Sequence, residues 1–124
     1  MIAYADLLDV PFAYGGRDHN GMDCYGLLME MYRRKGVIIP DVTSSTNGLL
    51  NESNLLIQRD SVWKSVERQP HVAVLFRMGR YVCHVGFAIT EDRFVHTMEN
   101  GLGVASEKFR DWEHRIAGFV DFVG

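Results

Sequence analysis

The chain has 124 residues, 47% of them hydrophobic and 23% charged, with a formal net charge of -3. That size and balance fit one globular domain over 1–124 and exclude disorder, collagen and a pure coiled coil. The longest apolar runs, such as 72–76 and 85–89, fall far short of the ~20 residues of a membrane span, and the charge lacks the basic footprint of a nucleic-acid binder.

Residues 4–9 read as a short first helix, limited by Pro11, since the residue before a proline disfavours the α region. Gly15 and Gly16 mark a turn, and 17–21 is a polar loop. Asp23 is placed to cap a helix. From Cys24 onward, Leu27, Leu28, Met31 and Tyr32 follow a helical apolar stripe. Arg33, Arg34 and Lys35 suit the negative end of the helix dipole, Gly36 suits the residue after the cap, and Pro40 forbids continuation.

A polar connector at 41–54, rich in Ser, Thr and Asn, reads as loop with a short helix after it. Strand-like runs then occupy 71–77, 81–90, 93–98, 104–109 and 116–122, joined by turn signals at 78–80, 91–92 and 99–101. Short links between successive strands predict an antiparallel meander. The expected class is α+β, with N-terminal helices packed on an antiparallel sheet of about five strands.

Cys24 and Cys83 are the only cysteines, and a domain of this size needs no disulfide. Cys24 stands at a helix start, where the dipole favours thiolate over thiol and backbone N–H groups stabilise an oxyanion. The competing reading is a buried structural cysteine. Of the five histidines, His84 shares a strand face with the small residues Gly86 and Ala88, which leaves room above the imidazole for a helix or a substrate. His96 falls in the next strand, where a hydrogen bond from it would fix the His84 tautomer. Cys83 points to the face opposite His84 and reads as a core thiol. His19 is expected at the surface, and His71 and His114 are given no role. Arg17, Asp18 and His19 are candidates to line a cleft before the helix. A zinc site from Cys24, His84 and His96 fits by ligand type but lacks any short metal-binding spacing, so no metal or cofactor is expected. No phosphate-cradling loop or paired carboxylates stand out.

The string Pro11-Phe12-Ala13-Tyr14-Gly15-Gly16, followed by Gly21-Met22-Asp23-Cys24-Tyr25-Gly26-Leu27, resembles the NlpC family of papain-like cell-wall cysteine peptidases. His84-Val85-Gly86 and Phe94-Val95-His96 match its downstream histidine strands, and the resemblance covers roughly 11–105. It implies a papain-like topology with Cys24 as nucleophile, His84 as general base and His96 as the residue orienting it. It also implies a Cys24 N–H in the oxyanion hole, and hydrolysis of peptide-stem amides of peptidoglycan, commonly between D-glutamate and a diamino acid. Phe12 stands where many members carry Tyr, and Tyr25 stands where Ser is common. The latter resembles a branch found in phage tails and prophages, so tail-tip proteins are expected partners. Residues 1–10 hold Asp6 and Asp9 but no Lys or Arg, unlike a signal peptide. Carriage in a virion tail would supply a route to the wall. Two alternatives remain: a tail or secretion-apparatus part with the same fold and little activity, and a different acyl transfer on the same residues.

Overall fold

The computed structural model describes residues 2–41, 63–99, 101 and 103–123, with only the backbone of Tyr81 and Cys83. The connector expected at 41–54, apart from Asp41, and the short helix after it lie outside these residues, as does the side chain of Cys83.

The predicted helix forms as α1, Cys24–Arg34. All five residues of the predicted stripe are buried. The Asp23 carboxylate caps it, accepting the Gly26 N–H at 2.7 Å. Its far end closes as a Schellman motif: Gly36 N–H donates to Arg33 C=O and Val37 N–H to Tyr32 C=O, with Gly36 at φ +93° where a side chain would be strained.

The first helix predicted at 4–9 shrinks to a 3-10 turn, Ala5–Leu7. Backbone pairing overrides it: Asp9 N–H donates to Val104 C=O and Val104 N–H donates to Val10 C=O, which draws the chain out of helical register. The N-terminal part, over residues 2–41, therefore holds one α-helix where two were expected. The loop predicted at 17–21 is a small hairpin of β1, Arg17–Asp18, and β2, Gly21–Met22.

Among the described residues, the main sheet has six strands where about five were expected: β3, Trp63–Val66; β4, Ala73–Met78; β5, Tyr81–Ala88; β6, Arg93–His96; β7, Ala105–Lys108; and β8, Ile116–Phe122. Their order is β3-β8-β4-β5-β6-β7, with every pairing antiparallel. The meander holds from β4 to β7, but β8 returns to lie between β3 and β4. The segment after β7 carries the chain back through two 3-10 turns, Phe109–Asp111 and Glu113–Arg115. Phe109 and Trp112 pack against Phe94 on the way, so burial of these aromatics sets the crossing rather than a tight turn.

The sheet buries both faces. Residues Leu75, Val85, Phe87 and Val95 share a core with α1. Phe76, Ala88, Phe94, Phe109 and Phe119 form a second core. Tyr32 ties helix to sheet: its ring sits edge-on to Trp63 and Phe87, and its hydroxyl donates to Asp121 Oδ1 at 2.7 Å. Among the described residues, no helix is long and apolar enough to cross a membrane.

Candidate active site

The start of α1 is held by one buried carboxylate. Asp23, 1% exposed, accepts the Gly26 N–H, the Gly15 N–H at 3.0 Å and the Arg17 Nη1 at 2.7 Å. Such charge-assisted bonds are stronger than neutral ones, so Asp23 joins the Gly-Gly turn, the β1–β2 hairpin and the helix in one brace. Close approach requires glycine here: a Cβ on Gly26 would lie 2.2 Å from the Gly16 carbonyl oxygen. Arg17 also donates to the Gly16 carbonyl and to both oxygens of Asp41. Tyr25, the bulky residue after the cysteine, donates its hydroxyl to Pro40 C=O at 2.6 Å and so pins the chain leaving the helix.

Cys24 opens the helix and is buried at 2% exposure within the core that α1 shares with the sheet. Helix α1 packs on β5, the strand that carries His84. Phe76 faces His84 across β4–β5 while Arg77 faces Val82, so Cys83 is skipped as a β-bulge immediately before His84. Bulges of this kind re-aim neighbouring side chains.

His84 and His96 are in direct contact, with His84 Nε2 2.9 Å from His96 Nδ1. Both are buried, at 4% and 3% exposure. The space over Gly86, one of the small residues on that face, is filled. A Cβ there would lie 3.3 Å from His96 Cβ and 3.3 Å from a Phe76 ring carbon. The missing side chain makes space for His96, Phe76 and the Val95 carbonyl. The pair sits among the aromatics of the second core, with Phe76 beside both imidazoles and Trp112 edge-on to His96 at 4.9 Å between centroids.

The second ring nitrogen of His96 meets a residue that the sequence reading missed: Nε2 contacts Glu107 Oε2. Glu107 lies on β7 opposite Phe94, which makes it the diagonal neighbour of His96 on the same face. A carboxylate on the following strand at matching period was the available signal, but its use required knowing the β6–β7 register.

Burial holds both imidazoles neutral. His84 is pushed down to about 3 by burial, with the adjacent His96 adding to the effect. His96 is also pushed down by burial, and Glu107 opposes that shift. An ionised Glu107 accepts from His96 Nε2–H. His96 Nδ1 is then the acceptor for His84 Nε2–H, and His84 Nδ1 carries the lone pair.

The structure thus brings His84 and His96 together, while Cys24 opens the helix that packs on β5, the strand of His84. The remaining candidates fall elsewhere. Arg17 is spent on Asp23 and Asp41, Asp18 Oδ1 accepts the Asn20 N–H, and His19 bonds Asp6 at the surface. His71 stacks on Phe87, and His114 meets Arg115. Phe12 packs edge-on to Tyr14, and a hydrogen bond to Glu99 raises the Tyr14 phenol above its ordinary value. Among the described residues, no group of three His, Cys, Asp or Glu side chains forms a metal site.

Comparison with known proteins places this arrangement in context. The chain is 29% identical over 120 residues to the murein DD-endopeptidase MepS/murein LD-carboxypeptidase of Escherichia coli K12, and equally to that of Escherichia coli O157:H7. Each match covers 93% of this chain but 57% of the relative, so the chain spans little more than half the length of these curated relatives. The fold is shared with the NlpC/p60 domain of the peptidoglycan hydrolase SagA, at a TM-score of 0.59 and 19% identity, covering 91% of this chain and 86% of that one. This likeness supports the papain-like α+β class. The family model of the NlpC/P60 family matches residues 9–121, and the chain belongs to that family.

Proposed function

We propose that the protein is a cysteine peptidase that hydrolyses peptide-stem amides of peptidoglycan through an acyl-enzyme on Cys24. The observation that carries the reading is the buried His84–His96 contact, with His84 on the strand against which the Cys24 helix packs. Family membership and the names of the relatives support the substrate class.

In this reading the bulge at Cys83 aims His84 Nδ1 toward the start of α1. His84 Nδ1 takes the thiol proton as the sulfur attacks the carbonyl carbon. The Cys24 backbone N–H and the positive helix end stabilise the tetrahedral oxyanion. The C–N bond breaks, and the amine leaves with the proton from His84. Water, deprotonated by the same nitrogen, then hydrolyses the thioester and restores the thiol. His96 holds the His84 ring in the required tautomer throughout.

The target bond is taken as the D-glutamyl–diamino acid amide that the sequence resemblance implies; the DD and LD activities named for MepS are the alternatives. Digestion of purified peptidoglycan followed by mass spectrometry of the released muropeptides identifies the bond. Cys24→Ala abolishes release while the fold persists; release by this variant at the wild-type rate would refute the nucleophile. Phe12, lacking the hydroxyl that many relatives place there, favours a second reading, an assembly component with little turnover. A wild-type protein that folds but releases no muropeptide supports that one.

A further inference from the structure

The catalytic reading uses three residues, but the hydrogen-bond chain runs through a fourth. From His84 Nε2 it passes to His96 Nδ1, and from His96 Nε2 to Glu107 Oε2. Glu107 is 38% exposed on β7, an edge strand of the sheet, while the two imidazoles are almost fully buried. The chain therefore leads from the buried base to a carboxylate at the solvent-facing side of the sheet. The ring neighbours of His96 besides His84 are Phe76 of β4, Phe94 of its own strand, and Trp112.

We infer that Glu107 is a positioning residue for the proposed hydrolysis: it fixes the protons of His96 and His84 so that His84 Nδ1 faces the thiol unprotonated, and it supplies the counter-charge when that nitrogen takes the thiol proton. Without this carboxylate, an imidazolium in the aromatic surroundings of Phe76, Phe94 and Trp112 would have only the negative charge formed on the reacting sulfur or oxyanion to balance it. With it, the positive charge on the pair is matched by a fixed negative charge one hydrogen bond beyond His96. Carboxylates that orient a functional histidine from outside the reacting centre have comparable effects elsewhere, with losses of roughly 10–100-fold on removal.

The inference rests on the catalytic reading above, and two measurements separate them. Glu107→Gln keeps the shape and an acceptor oxygen but removes the charge. On purified peptidoglycan it lowers kcat by roughly 10–100-fold with KM within about twofold, while Glu107→Asp recovers part of the loss. In parallel, NMR titration of the histidine rings, which needs no substrate, shows the pair's midpoint falling in Glu107→Gln, because the charge that favours the imidazolium is gone. A merely structural role would leave that midpoint unmoved in the folded fraction. Unchanged kcat, or a lowered kcat with an unchanged midpoint, overturns the inference. Glu107→Thr, a residue suited to strands, gives the same two readouts if the Gln variant folds poorly. Hydrolysis by Cys24→Ala would sink the catalytic reading and leave the titration to judge Glu107. Loss in Cys24→Ala with an unaffected Glu107→Gln sinks only the inference.

Discussion

The buried imidazole pair makes the fold sensitive to acid, and the size of the effect follows from the site. His84 is pushed from 6.5 down to about 3 in the folded chain and recovers its ordinary value on unfolding. Below pH 6.5 the unfolded chain binds a proton that the folded chain refuses. Stability is therefore fully present above about pH 6.5 and is lost as pH falls toward 3. Between pH 7 and pH 5 the loss from His84 alone is about 2 kcal/mol. His96 is shifted in the same direction and adds to it. Against a total stability of about 5–15 kcal/mol for a domain this is a large share. Urea unfolding at pH 7 and pH 5 measures it. His84→Gln keeps an N–H donor for His96 Nδ1 but cannot titrate, so its loss over the same interval is smaller by about 2 kcal/mol. Equal losses in both proteins, or a His84 ring that titrates near 6.5, would refute the argument.

Three further outcomes follow from the geometry. Asp23→Ala removes the cap and leaves the three donors converging on it without their acceptor, and costs about 2–4 kcal/mol in chemical denaturation; a loss under 1 kcal/mol would show that Arg17 and Asp41 hold the loop unaided. Gly86→Ala sets a methyl 2.9 Å from the Val95 carbonyl oxygen and against the His96 Cβ, so stability falls by about 1–3 kcal/mol and muropeptide release drops with it, whereas a wild-type melt and rate would mean that β5 and β6 shift apart freely. His84→Ala slows iodoacetamide labelling of Cys24 by about tenfold, read by mass spectrometry with Cys83 as the internal reference; equal rates with and without His84 would separate the thiol from the imidazole.

The elements set by local signals were legible in the sequence. The bounds of β8 matched the prediction, and α1 was announced by Asp23, its stripe and Gly36. What escaped was set by partners distant along the chain. β3 is four residues with exposed Lys64 and Ser65 at its centre, and it is a strand only because β8 lies beside it. The 3-10 turn at Ala5–Leu7 replaced a helix because Val104, nearly a hundred residues on, claims the backbone of Asp9 and Val10. In the site, Cys24, His84 and His96 stood out by residue type and spacing. Glu107 and Trp112 did not, since a carboxylate and an aromatic in the last third of a chain are ordinary until strand register places them against an imidazole.

The insertion of β8 between β3 and β4 has a bearing on biosynthesis. A nascent chain that has not yet emitted residue 116 already contains Cys24, His84, His96 and Glu107, yet its sheet has an empty slot where β8 later pairs on both sides. Two unsatisfied strand edges then face the solvent, a hazard for association with other chains. Folding of this domain is thereby coupled to the emergence of β8: a chain cut off before residue 116 holds Cys24, His84, His96 and Glu107 but lacks the strand that joins β3 to β4.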